Sequence, residues 1–262
     1  MSRRKHPYRT ALTLIWLLAA CTQNTAEQPS PPPVQAAPPA ASAETSPAPS
    51  KKSASDDEIR KDAALQTLAY AQAVHCGNAT LMSVQKPDYD RQPAPEEAAL
   101  LLDKNTDPET GHQEAYLVVL YQSDITPALA MLPEKAGEQG IYGCSAGSGT
   151  SSLYLMAAVY NSDFEAVGIG GDLLDEIAQA NQKESERHEN DPQGNPYYIN
   201  PRFILSVKHL PEANSLEIIS LQHADGDANN FPTLRRKYTV NLYSKKITAS
   251  KFDGIEKYEQ SE

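Results

Sequence analysis

A pentapeptide near the middle of the chain has the spacing of a nucleophilic serine motif. Gly143-Cys144-Ser145-Ala146-Gly147 fits the pattern G-x-S-x-G, in which a sharp turn exposes the serine hydroxyl. A serine is a weak nucleophile unless a base activates it and a third group orients that base. Downstream, His209 or His223 could serve as the base, and Asp172 or Asp191 could orient it. The pattern therefore raises the hypothesis of a serine hydrolase.

The pattern resembles the nucleophile elbow of the α/β-hydrolases, which follows directly on a buried strand. The residues before it do not have the character of such a strand, because Lys135 to Gly140 (KAGEQG) is polar and rich in glycine. Only Ile141 and Tyr142 are apolar at this point. The sequence therefore favours a hairpin loop at 146–151. We predict neither enzymatic activity nor a cofactor, with a hydrolase that uses Ser145 as the alternative.

Two acidic segments have the spacing of calcium loops. The first has oxygen-bearing side chains at positions 1, 3, 5 and 12 of an EF-hand-like pattern: Asp103, Asn105, Asp107 and Glu114. However, Pro108 occupies position 6, where the sharp turn needs a residue that tolerates positive φ. The second begins with Asp225, Asp227 and Asn229, but its twelfth position is Arg236. Because Asp, Asn and Gly are also common in ordinary turns, we predict turns here and no metal.

Positive charge is concentrated near the end of the chain. From Ala228 to Phe252 there are six cations and no acid, whereas residues 56–227 have 28 anions and 10 cations. We call the six cations the basic ribbon: Arg235, Arg236, Lys237, Lys245, Lys246 and Lys251. On one hairpin they would favour an anionic partner, such as lipid headgroups, a cell-wall polymer or an acidic protein face. The alternative is an edge hairpin guarded by lysines or neutralised by the domain's own carboxylates.

The first twenty residues have the organisation of an export signal. Four cations without an acid precede an apolar run from Ala11 to Ala20. As a helix this run spans about 15 Å, which is too short for the roughly 30 Å bilayer core. The adjoining Leu18-Ala19-Ala20-Cys21 resembles the lipobox of bacterial lipoproteins. The resemblance implies cleavage before Cys21, diacylglycerol on its sulfur and an acyl chain, such as palmitate, on its new amino terminus.

The lipobox resemblance also implies a location. In this family an Asp after the cysteine favours retention in the inner membrane, and here the residue is Thr22. We therefore expect a protein anchored in the bacterial outer membrane, facing the periplasm or the cell surface. Several acyl chains give stable anchoring, because each buried methylene contributes about 0.8 kcal/mol.

The composition of the mature chain excludes some partners. Removing residues 1–20 changes the formal charge from −11 to −15, which argues against nucleic acid as a partner. The only tryptophan, Trp16, is lost with the signal. A sugar-binding platform built on tryptophan is therefore excluded, though tyrosine, of which twelve remain, could substitute.

A proline-rich segment separates Cys21 from the domain. Residues 22–55 contain eight prolines and almost no large apolar side chain. Such a segment cannot bury enough surface to offset the loss of entropy on ordering, so we predict a disordered linker. At about 3.1 Å per residue it reaches at most roughly 100 Å. The predicted organisation is a signal at 1–20, a lipidated cysteine and stalk at 21–55, and one domain at 56–262.

Two cysteines remain when Cys21 is lipidated, Cys76 and Cys144. Export places them in a compartment where disulfides form and persist. A bond between them would close a long loop and stabilise the domain by about 4 kcal/mol if it is unstrained. Two free buried thiols are the alternative, and no histidine cluster accompanies the pair to suggest a metal site.

The apolar periodicity predicts an α+β fold. Ser55 and Glu58 form a capping-box pattern before a helix near 56–76, and Asp172 caps a second helix that runs to about Glu189. One or two helical turns are expected at 96–102. The predicted strands are 114–122, 141–145, 152–160, 164–169, 202–208, 216–222, 237–243 and 247–252. Short polar turns favour antiparallel pairing, so we expect the N-terminal helix to pack on an antiparallel sheet.

These observations favour a membrane-anchored cell-envelope lipoprotein with a non-enzymatic binding or structural domain. Its partner would be an envelope or host protein or an anionic polymer, in addition to the membrane that holds the lipid. The alternatives are the envelope serine hydrolase and an inhibitor or immunity-type protein that blocks the site of another enzyme.

Overall fold

The computed structural model describes residues 53–125, 151–164 and 166–258, all within one unit, Pro49–Glu262. The described helices are α1 (Asp56–Val74) and α2 (Leu173–Arg187). The described strands are β1 (Ala79–Leu81), β2 (Ala99–Thr106), β3 (Gln113–Ser123), β4 (Ser152–Asn161), β5 (Ala166–Asp172), β6 (Ile204–Leu210), β7 (Ser215–Gln222), β8 (Leu234–Asn241) and β9 (Ile247–Ile255). Short 3₁₀ turns occupy Pro95–Ala98 and Pro211–Ala213.

Helix α1 begins and ends on local signals. The Ser55 hydroxyl accepts a hydrogen bond from the Glu58 backbone N–H (3.3 Å), and the Glu58 carboxylate accepts one from the Ser55 N–H (2.7 Å). This capping box satisfies two amides that the helix itself cannot. At the other end Cys76 (φ 57°) and Gly77 (φ 79°) adopt left-handed conformations, which stop the helix. Its buried face is built mainly of small residues: Ile59, Ala63, Ala64, Thr67 and Ala71.

The first sheet consists of β1 to β5, with β3 near its centre. Strands β4 and β5 follow on one side of β3, and both β1 and β2 pair with its other side, all antiparallel. Helix α1 covers one face, where alternate residues of β3 from Ala115 to Tyr121 are buried. Val118 and Leu120 point into a second core on the opposite face. Because both faces of β3 are covered, its sequence is an almost continuous apolar run.

The second sheet is a meander of β6 to β9 in chain order. Its inner face, α2 and the second face of the first sheet share one core, to which β7 and β8 contribute Leu216, Ile218, Tyr238 and Val240. Residues 82–84 connect the two sheets. The Met82 N–H donates to the Leu120 carbonyl (3.0 Å), and the Val207 N–H donates to the Val84 carbonyl (2.7 Å).

The predicted α+β class is confirmed, with the N-terminal helix packed on an antiparallel sheet. Four details differ. The sheet expected as one is two, and neither β1 nor β2 was predicted. The helical turns expected at 96–102 reduce to Pro95–Ala98, because the next residues pair with β3 as a strand. The strand expected at 237–243 lies at Leu234–Asn241, because the Asn241 side chain closes a turn that follows it.

Several predictions concern residues outside the described ranges. They include the signal at 1–20, lipidation of Cys21, most of the stalk, the strand at 141–145 and nearly all of the loop at 146–151. Among the described residues, neither helix combines the length and apolar character needed to span a membrane.

Candidate functional site

The residues that would serve a catalytic Ser145 have other roles in this fold, and Ser145 itself lies outside the described residues. The Asp172 carboxylate caps α2 and accepts backbone N–H bonds from Leu155 and Leu174, both at 3.1 Å. Asp191 closes the turn after α2 by accepting the N–H two residues further on (2.9 Å). The carboxylates of both aspartates are therefore engaged in hydrogen bonds with backbone amides.

His223 lines the same cleft as Asp191, whereas His209 lines a different one. His209 is on β6, where burial lowers its pKa although the Asp103 carboxylate acts to raise it. His223 follows β7 and packs edge-on against the Phe203 ring, with centroids 5.9 Å apart. Neither histidine forms a hydrogen bond to either aspartate in the described part of the chain. These four residues thus include no hydrogen-bonded pair of base and orienting group for Ser145.

The segment with calcium-loop spacing is a β-hairpin. Asp103 and Asn105 lie on β2, and Glu114 lies on the paired strand β3. Asp107 accepts the backbone N–H groups of Glu109 (2.8 Å) and of the next residue (3.3 Å). These bonds favour the charged carboxylate and lower the pKa of Asp107. The ligand-type residues therefore build the hairpin and its turn.

The second acidic segment is also a turn. Asp227 accepts hydrogen bonds from the backbone N–H groups of Ala224 and Thr233, both at 2.7 Å, and from the Thr233 hydroxyl. Across residues 53–125, 151–164 and 166–258, no three His, Cys, Asp or Glu side chains are grouped to hold a metal ion.

Half of the basic ribbon is neutralised by nearby carboxylates. Three of its cations form ion pairs at 3.0 to 3.6 Å: Arg235 with Asp253 and Glu256, Lys237 with Glu217, and Lys245 with Glu176. Exposed Lys246 and Lys251 form no ion pair with other described residues. As a free positive surface, the ribbon is thus reduced to these two lysines.

The remaining cation of the ribbon, Arg236, is inside the domain. Only 5% of its surface is exposed, and it lies on the core side of β8. Its guanidinium donates to the carbonyls of Gln193 (3.1 Å) and Gly194 (2.9 Å) and to the Ser250 hydroxyl (2.9 Å). It therefore joins the loop after α2 to the second sheet and is not available to a partner.

The disulfide stays a prediction, because Cys144 lies outside the described residues. Cys76 follows α1 and is partly buried. We expect Cys76→Ser to lower the free energy of unfolding by about 2–4 kcal/mol, since the unfolded chain regains the freedom of a long loop. Urea unfolding of both forms, with and without reductant, measures this. A wild type whose thiols react with iodoacetamide before reduction would contradict the bridge.

A mostly apolar cleft of about 500 Å³ opens between the two sheets, and we call it the inter-sheet cleft. Its walls come from β2, β3, β4, the start of α2, the end of β6 and the turns β6–β7 and β8–β9. The apolar lining includes Leu102, Val118, Ala157, Val159, Leu173 and Leu242. Concave sites of this size and character are where proteins commonly bind small ligands.

Two exposed tyrosines line the inter-sheet cleft. Tyr116 on β3 is 45% exposed, and Tyr243 in the β8–β9 turn is 91% exposed. The Tyr243 turn is well ordered by hydrogen bonds, because the Asn241 side chain accepts from the backbone N–H groups of Tyr243 (3.1 Å) and Ser244 (2.8 Å). The fold therefore presents a large aromatic surface to solvent at this cleft.

A buried asparagine attaches this turn to α2. Asn181 is 4% exposed, and its amide nitrogen donates to the carbonyls of Ile177 (2.7 Å) and Lys245 (3.0 Å). Its amide oxygen accepts from the Ile247 N–H (3.0 Å). Position 181 thus fixes the wall of the cleft that carries Tyr243.

The polar groups of the inter-sheet cleft are Asp103, His209, Asn214 and Lys245, together with the tyrosine hydroxyls. The Lys245 ammonium lies 3.6 Å from the Glu176 carboxylate. Asp103 forms no salt bridge with another described residue, and one of its oxygens accepts the N–H of the next residue (2.9 Å). The lining residues that the structure describes therefore offer hydrogen-bond donors and acceptors without an unpaired cation.

Another cleft, of about 460 Å³, lies beside the C-terminal end of α2. The amide of Gln222, which lines it, already has hydrogen-bond partners within the protein. The Gln222 amide donates to the carbonyls of Asn195 (2.8 Å) and Tyr198 (2.5 Å) and accepts from the Asn195 N–H (2.7 Å). These bonds hold the loop at 193–200 on the second sheet. We therefore regard this cleft as structural and the inter-sheet cleft as the candidate site.

Comparison with known proteins adds no family to this description. No family model matches the chain, and no curated protein is significantly similar to it in sequence.

Proposed function

We propose that this protein is a lipid-anchored lipoprotein of the bacterial outer membrane whose domain binds a ligand in the inter-sheet cleft and catalyses no reaction. The anchor rests on the lipobox that ends at Cys21 and on the proline-rich stalk that follows. The observation that carries the binding role is the cleft of about 500 Å³, apolar inside and lined by two exposed tyrosines. Apolar clefts with a few polar groups are the sites at which proteins most often bind small ligands.

The inter-sheet cleft is a better contact site than the basic ribbon. Three ribbon cations are paired with carboxylates and a fourth is buried, so little positive charge is free to attract a polymer. The serine hydrolase is the weaker alternative, because the aspartates that would orient a base are bonded to backbone amides.

The binding role predicts which fractions of the cell envelope protect the domain from hydrogen exchange. The mature lipoprotein, kept in detergent micelles, would be mixed separately with glycan, lipid and peptide fractions. We expect at least one fraction to slow exchange in β3 and in the β8–β9 turn. Tyr116→Ser combined with Tyr243→Ser should abolish this protection, since it removes the two exposed rings.

Tyr70→Ser is the matched control, because Tyr70 is a similarly exposed tyrosine (42%) on α1, which covers the other face of the first sheet. It should leave the protection unchanged. If no fraction protects the cleft, or if the double variant is protected like the wild type, the proposed binding role is wrong.

A further inference from the structure

We infer that the ligand of the inter-sheet cleft is a neutral saccharide, an inference that rests on the proposed binding function. The cleft combines exposed aromatic rings, planar hydrogen-bonding side chains and the absence of an unpaired cation among its described lining residues. The rings suit the apolar face of a sugar, the polar side chains suit its hydroxyls, and the absence of a free cation suits a ligand without negative charge.

The aromatic rings suit the apolar face of a pyranose. A sugar ring presents C–H groups on one face, and the negative face of an aromatic ring attracts such weakly positive hydrogens. Tyr116 and Tyr243 are both exposed at the cleft, and Val118 and Val159 continue the apolar surface between the sheets. Because Trp16 precedes the expected cleavage site, the mature chain must use tyrosine or phenylalanine for such stacking.

The polar groups suit hydroxyls, which both donate and accept. The Asp103 carboxylate accepts, and the Asn214 amide does both. His209 adds one donor and one acceptor in its neutral form, which burial favours. Asn214 is fixed by the fold, since it has a left-handed conformation (φ 42°, ψ 53°) and its carbonyl accepts from the Leu242 N–H (3.0 Å). The site therefore presents a mixed and partly preorganised set of partners.

The charges disfavour other classes of ligand. The only cation that lines the cleft in the described chain is Lys245, and it is paired with Glu176. A phosphate or carboxylate would meet the Asp103 carboxylate without a free positive partner. A purely apolar ligand would cover Asp103 and Asn214 without offering them hydrogen bonds in place of water, which is costly. A neutral, hydroxyl-rich ring avoids both penalties.

The test is isothermal titration calorimetry with the full mature lipoprotein in a detergent that has no sugar head group. The neutral probes are cellobiose, maltotriose and N,N′-diacetylchitobiose; the comparison probes are the cationic chitobiose, the anionic digalacturonate and hexanoate as an apolar acid. We expect binding of at least one neutral probe. Tyr116→Ser combined with Tyr243→Ser should weaken it by about tenfold or more, which corresponds to at least about 1.4 kcal/mol. Tyr70→Ser should not change it.

The outcomes separate the inference from the function on which it rests. If only a charged or apolar probe binds, and the double tyrosine variant weakens it, the saccharide is wrong while the binding role stands. If a neutral sugar binds equally well to the double variant, its site is elsewhere and the inference is overturned. If no probe binds and no envelope fraction protects the cleft from hydrogen exchange, the binding function itself fails.

Discussion

Replacing Arg236 with alanine is expected to lower the free energy of unfolding by about 3 kcal/mol or more. The guanidinium is 5% exposed and donates to the carbonyls of Gln193 and Gly194 and to the Ser250 hydroxyl. Hydrogen bonds from a charged donor contribute roughly 1.5–3 kcal/mol each, and the acceptors left behind would be poorly solvated. Urea unfolding followed by far-ultraviolet circular dichroism measures the change.

Lys237→Ala is the matched control for this prediction. Lys237 is the next residue on β8 and belongs to the same basic ribbon. Its side chain is 38% exposed, and its ammonium lies 3.3 Å from the carboxylate of the partly buried Glu217. An ion pair of this kind contributes at most about 1 kcal/mol, so the control should remain close to wild type. Equal effects of the two substitutions would contradict the structural role of Arg236. A large difference would show that ribbon variants must be tested for folding before any loss of binding is interpreted.

The helices were predictable because their signals are local. The Ser55 and Glu58 pair lies within three residues, and the structure forms the capping box that this spacing predicts. Asp172 likewise caps α2 by accepting the Leu174 N–H. Strand β3 was also visible, because burial on both faces leaves a run of apolar residues that few other arrangements require.

The missed elements depend on partners that are distant in sequence. Strand β1 has three residues, too few for any periodic pattern. Strand β2 begins with apolar residues directly after Pro95–Ala98, and a short apolar run fits a helix or a strand equally well. Pairing with β3 decides the outcome. The separation into two sheets is a property of the same kind.

The sequence contains a pattern that predicts the buried position of Arg236, but the positive charge of the residue favours the opposite interpretation. Residues 234, 236, 238 and 240 alternate with their neighbours and form one face of β8, and three of these four are apolar or aromatic. This period of two places Arg236 on the core side. Counting it with the exposed cations of the ribbon ignored the alternation.

The inter-sheet cleft had no comparable signal. Its lining residues come from β2, β3, β4, α2, β6 and two turns of the second sheet, which are far apart in the chain. The local sequence presents Asp103 only as a candidate calcium ligand and His209 only as a candidate base, and nothing in it places the two residues together. The packing of one sheet against the other creates the site.

Replacing Asp172 with asparagine is expected to raise the free energy of unfolding at pH 7.5 by about 1–3 kcal/mol, as judged from the pKa shift. Burial raises the pKa of Asp172 from 3.8 to about 6, because desolvation outweighs the two backbone bonds that favour the charged form. The folded state thus retains the proton to a higher pH than the unfolded state does. The stability that this proton provides is complete below about pH 4 and is lost as the pH rises through 6.

Asparagine keeps the interactions of Asp172 without its charge. Its amide oxygen can accept the N–H bonds of Leu155 and Leu174, and it is as good an N-cap as aspartate. The gain should therefore be present at pH 7.5 and vanish near pH 4. Asp172→Ala, the control, loses both bonds and should lower the free energy of unfolding by about 1–2 kcal/mol. Urea unfolding between pH 4 and 8 distinguishes these cases. If the asparagine variant is the less stable at pH 7.5, the carboxylate is ionised and stabilised by the positive end of α2.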